Sequence, residues 1–128
     1  MTFRFNREAL AWAILIFIVE VLIATVWSHH RLLRGFVGDL LAVVWVYYLF
    51  KVVVAASPRA LALAAFGVGC LVELGQYLAS ANGWHIANPI ARIVLGSVAD
   101  WWDVAAYACG AITALAMERL LKQARPAA

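Results

Sequence analysis

Four runs of mainly apolar residues, at roughly 9–28, 36–56, 60–79 and 101–121, take up most of the chain. Each is close to the roughly 20 residues that a helix needs to cross the hydrocarbon core of a bilayer. A backbone segment in lipid must satisfy its own N–H and C=O groups, so runs of this length fold as helices or not at all. Composition points the same way. The 128 residues are 66% hydrophobic with a mean hydropathy of +0.90, against roughly 45–50% apolar in an ordinary soluble domain. With 13% charged residues, a water-soluble fold would expose very large apolar patches. The expected fold is all-α: a single polytopic domain over residues 1–128, built as a four-helix transmembrane bundle.

The connections are short. Arg4 and Arg7 precede the first run, as in a signal peptide, but the run is longer than a signal core, carries Glu20 and is not followed by an A-x-A site; an uncleaved first span is expected. SHHRLLRG leads to the second run, and Ser57-Pro58-Arg59 to the third, with Pro58 stopping the helix before it. Asn82-Gly83 and Asn88-Pro89 mark turns after the third run. The following IARIVLGSV is too short to span, so an interfacial or re-entrant segment is expected between helices 3 and 4. The fourth run is rich in alanine and glycine, which suits the centre of a bundle.

Charge sets the topology. Arg4, Arg7, Lys51, Arg59, Arg119, Lys122 and Arg125 fall on the side of the two termini, and Arg31, Arg34 and Arg92 on the other. The positive-inside rule then places both termini in the cytoplasm of a bacterial inner membrane. The net charge of +3 is explained by topology and anionic headgroups, and nucleic acid is not an expected partner. Membrane lipids are the expected partners, with protein partners or self-association left open.

In that orientation the polar residues of the spans gather at the outer end. Glu73 and Gln76 share a helix face near the end of span three, with Tyr77 beside them. Asp100 and Asp103 have the same spacing at the start of span four, and Asp39 lies in the first turn of span two. Glu20 is in the outer half of span one, and Arg92 in the outer loop. Blander readings exist for each. Asp39 and Asp100 suit helix N-termini as caps. Glu73, costly in lipid, can be held by a structural ion pair with Arg92, and Lys51 can snorkel to the interface. The alternative is a ligand site made of Arg92, Glu73, Gln76, Asp100, Asp103 and Asp39, with Glu73 and Asp103 the candidates for any acid–base role.

Several chemistries have no support. G-x-S-x-G, HExxH and a phosphate-binding glycine loop are all missing from the sequence. Cys70 and Cys109 are isolated in apolar runs, and His29-His30 is a weak metal signal, so no metal or cofactor is expected.

The run ELGQY, the Asn88, Ala91-Arg92 and IVLGS that follow, and the DWWD, Tyr107 and Gly110 beyond, together with RGFVGDLL upstream, resemble the bacterial family known as domain of unknown function 2809. The resemblance covers roughly residues 34–115 and implies a small four-span membrane protein of unassigned activity. More distantly, Glu73, Gln76, Arg92, Asp100, Asp103 and Gly110 resemble the spaced pattern of the VanZ-like family, linked to teicoplanin resistance. Tyr107 stands where that family has asparagine, and Arg92 lies further from the aspartates, so the antibiotic role is not carried over. The expected function is an outward-facing polar pocket that binds a cell-envelope lipid headgroup or lipid-linked phosphate. The alternatives are a membrane enzyme acting on such a lipid by carboxylate acid–base or metal chemistry, and a structural subunit of a membrane assembly.

Overall fold

The computed structural model describes residues 2–27, 29, 33–81 and 101–124. They form four long helices: α1 (Arg7–Thr25), α2 (Gly38–Val53), α3 (Pro58–Ala81) and α4 (Trp101–Ala124). All four contain a stretch long and apolar enough to cross a membrane. The chain is thus a multi-pass membrane protein with an all-α fold. The segment expected to be interfacial or re-entrant, between α3 and α4, lies outside the described residues.

Local chemistry explains where the helices begin. Asn6 accepts the Ala9 N–H at 3.1 Å and caps α1. Ser57 Oγ accepts the Ala60 N–H at 3.2 Å, and Pro58 occupies the first helical position of α3, where its missing donor costs nothing. A single π-helical turn, Leu33–Val37, leads into α2.

The end of α2 departs from the sequence expectation. The helix stops at Val53 rather than near Ala56, because Val54–Ala55 (β2) turn extended and pair antiparallel with Thr2–Phe3 (β1). Beyond that two-residue ladder, the Arg4 N–H donates to Val53 O at 2.9 Å and the Asn6 N–H to Val52 O at 2.8 Å. The N-terminal segment therefore satisfies carbonyls that a helix end leaves open.

α2 is the central helix, packing against α1, α3 and α4, while α4 contacts α2 and α3. The reading of the small-residue-rich fourth run as the centre is revised accordingly. The most completely buried large side chains, Val44, Tyr47 and Tyr48, all belong to α2. Small residues instead let α4 approach closely. Ala106 and Ala114 are fully buried, and a Cβ at Gly110 between them would collide with the Leu40 carbonyl oxygen and Val43 of α2. On α1, Ala9, Ala13 and Ile16 form the helical stripe that joins the core. Trp12 stacks on Tyr48, and Phe17 packs against Trp45, across the α1–α2 contact.

This up-and-down arrangement puts the end of α1, the start of α2, the end of α3 and the start of α4 at one end of the bundle, called here the loop end. The other is the terminal end.

Candidate functional site

The buried stripe of α3 runs through Ala62, Ala65 and Gly69 and continues, at the same helical spacing, into Glu73 and Gln76. The stripe that carries the apolar core thus carries two polar side chains into the loop end. Glu73 is 7% exposed and Gln76 8%, which makes them the two buried polar residues among those described.

Across from them, α4 brings Tyr107, 6% exposed. Its ring lies directly over Gly69, where a Cβ would sit 2.8 Å from ring atoms Cγ and Cδ2. Gly69 is one turn before Glu73, so a ring laid over the glycine points its hydroxyl at the carboxyl. The Tyr107 hydroxyl donates to Glu73 Oε1 at 3.4 Å, a long contact.

One turn earlier on α4 is Asp103, half-buried, and its carboxyl is within hydrogen-bonding reach of Asp39 on α2. Asp39 therefore does not act as the cap expected of it. The residue before α2 is Val37, already helical through the π turn and making no side-chain capping bond. Asp39 also feels the charges of Glu73 and of Glu20, which α1 supplies. Tyr107 is close enough to Asp39, Glu73 and Asp103 to feel all three.

Four helices thus deliver one acidic side chain each, Glu20, Asp39, Glu73 and Asp103, to one end of the bundle. Within this group, Glu20 Oε1 and Gln76 Oε1 are buried and have no hydrogen-bond partner among the described residues. Among the described residues no set of three or more His, Cys, Asp or Glu side chains is placed to hold a metal ion. Arg92 and Asp100 lie outside the described residues, and with them the expected Glu73–Arg92 ion pair and the capping role of Asp100. Of the six expected ligand residues, the structure brings together Asp39, Glu73, Gln76 and Asp103. It adds Glu20 and Tyr107. Tyr107 was legible in principle, since it lies four residues after Asp103 and so shares its helix face.

The terminal end holds a different arrangement. Lys51, near the end of α2, forms an ion pair with Glu118, near the end of α4, both side chains 15% exposed. The expected snorkelling of Lys51 is thereby replaced by a specific partner. Tyr47 packs edge-on against Tyr48 and lies close enough to Glu118 to feel its charge. Cys70 and Cys109 are both free thiols.

Fold and site together define a small multi-pass membrane protein with an acidic cluster set into one end of its helix bundle. Residues 28–111 match the model of a family described as "Protein of unknown function (DUF2809)", and the chain belongs to that family. The match does not extend to the VanZ-like family, whose resemblance rests on the spaced polar residues alone. Comparisons with curated proteins and with solved structures return no match.

Proposed function

We infer that the loop-end cluster is a binding site for the polar headgroup of a cell-envelope lipid or a lipid-linked phosphate. One observation carries this reading: all four helices place an acidic side chain at the loop end, with the Glu20 and Gln76 oxygens buried there without a hydrogen-bond partner among the described residues. Ionisable groups inside spans are costly and are retained where they meet protein, water or a substrate. An acceptor-rich set suits a ligand rich in donors, such as sugar hydroxyls or an amine. Glu73, Gln76 and Asp103 would hold these groups, and Arg92 would take the phosphate, with Asp39 and Asp100 completing the site. Both termini would lie in the cytoplasm of a bacterial inner membrane, with the site opening outward.

The test is mass spectrometry of lipids that co-purify with the wild-type chain and with Arg92→Ala. A phosphate-bearing lipid enriched in the wild type and lost in the variant is the expected result. Equal profiles from two folded proteins would remove the headgroup reading at this arginine. Orientation is checked by labelling a Trp84→Cys variant with a membrane-impermeant thiol reagent. Labelling from outside intact cells is expected, and labelling only after lysis would reverse the topology.

A second reading, catalysis on such a lipid, draws on the paired carboxyl groups of Asp39 and Asp103 beside Tyr107 and Glu73. Neighbouring carboxyl groups are an arrangement used for general acid–base work. It would gain if Glu73→Gln and Asp103→Asn kept the fold and the bound lipid but abolished its turnover.

A further inference from the structure

An apolar groove of about 400 Å³ lies between α3 and α4. This lies within the range of small-molecule sites, roughly 300–1,000 Å³. Ala62 and Phe66 of α3 line it, as do Ala111, Ile112 and Leu115 of α4, and Arg59 stands at its terminal end. The groove reaches from the terminal end as far as Ala108, the residue after Tyr107, and no side chain of the acidic cluster lines it. Its wall on α4 follows one helix face, and that face continues beyond Leu115 to Arg119 and Lys122, at successive one-turn steps. Arg59, Arg119 and Lys122 are all exposed. The acid nearest to them in sequence, Glu118, is turned inward to Lys51, so its charge is engaged inside the bundle rather than at the groove mouth.

An apolar slot that starts among cations and runs toward the middle of the membrane matches one kind of molecule. We propose that the α3–α4 groove binds an anionic phospholipid, one acyl chain lying between Phe66 and Leu115 and the phosphate meeting Arg59 and Arg119. Charge complementarity selects this occupant. A zwitterionic lipid places a cation beside the same arginines and has no net charge to offer them, and each basic residue near a membrane surface favours anionic lipid by a small but additive amount.

Native mass spectrometry tests this on the full chain in micelles doped equally with phosphatidylglycerol and phosphatidylcholine of identical acyl chains. The wild type should retain phosphatidylglycerol preferentially. The double variant Arg59→Gln/Arg119→Gln, altered only at exposed positions, should lose about tenfold in that retention and leave phosphatidylcholine unchanged. Four results would overturn the proposal. One is equal retention of the two lipids by the wild type, and another is a preference that survives in the double variant. The third is a second copy as occupant: a disulfide-linked dimer of the Leu63→Cys variant, Leu63 being an exposed residue of the groove lining, whose yield added phosphatidylglycerol does not reduce. A preference lost in Arg92→Ala but intact in the double variant would place the anionic lipid at the loop end and sink the groove.

Discussion

α2 and α4 meet in polar contact at both ends of their shared seam, and the two contacts are of opposite kinds. At the terminal end Lys51 and Glu118 neutralise one another, so the contact is complete with two side chains. At the loop end Asp39 meets Asp103, an acid against an acid, with Glu73 and Glu20 near enough to add their charges. Apart from His29 and Arg34, the basic residues described lie toward the terminal end: Arg4, Arg7, Lys51, Arg59, Arg119 and Lys122. The first contact has the form of a clamp between helices. The second gathers like groups, which is unfavourable unless protons, a ligand or a cation share the site. Packing separates the two, since Leu40 and Val43 of α2 lie against Gly110 of α4 between them.

That contrast can be broken from either side. The largest effect is expected at the clamp. Lys51→Met or Glu118→Met alone leaves a charge without its partner and should cost about 3–5 kcal/mol of stability. The double replacement should recover most of this, and thermal unfolding in detergent, arranged as a double-mutant cycle, reads the difference. Strict additivity would mean that the pair is not a clamp. Next in size is the seam itself: Gly110→Ala should destabilise by about 1–3 kcal/mol, because the added methyl meets the Leu40 carbonyl and Val43, which belong to the backbone and core of α2. An unchanged melting temperature would show that the helices are further apart than described.

The smallest stability effects are expected at the acidic end, and they sharpen the comparison most. Asp39→Asn keeps the size and shape of the side chain beside Asp103 and should change stability by less than about 1 kcal/mol. Tyr107→Phe removes only the long contact to Glu73 and should likewise cost less than about 1 kcal/mol. Both should nevertheless alter the lipids that co-purify with the chain. A loss of several kcal/mol in either, with an unchanged lipid profile, would make the acidic cluster a structural device like the clamp.

Much of the architecture was legible without coordinates because lipid imposes a simple rule: a backbone in hydrocarbon must close its own hydrogen bonds. Four apolar runs therefore meant four helices, and short connections meant alternating direction. Direction alone brought Asp39, Glu73, Gln76 and Asp103 to one end. It did not say which faces meet. α2 ends earlier than its apolar run implies because the last residues of that run are taken by a ladder with Thr2–Phe3, a partner more than fifty residues away in sequence. From sequence alone Asp39 suits both a helix cap and a ligand site; α2 starts without a side-chain capping bond, and Asp39 lies beside Asp103 instead.

The sequence by itself determined the solvent, the number of spans and the end at which the polar groups collect, since these follow from length, hydropathy and chain direction. Only the tertiary structure decided the pairings. It chose Glu118 for Lys51, Asp103 for Asp39 and Tyr107 for Glu73, and it made α2 rather than α4 the central helix. The reason is that a pairing depends on how closely two helices approach and at what rotation. Those are set by small residues such as Gly69 and Gly110, whose effect appears only when another helix lies against them.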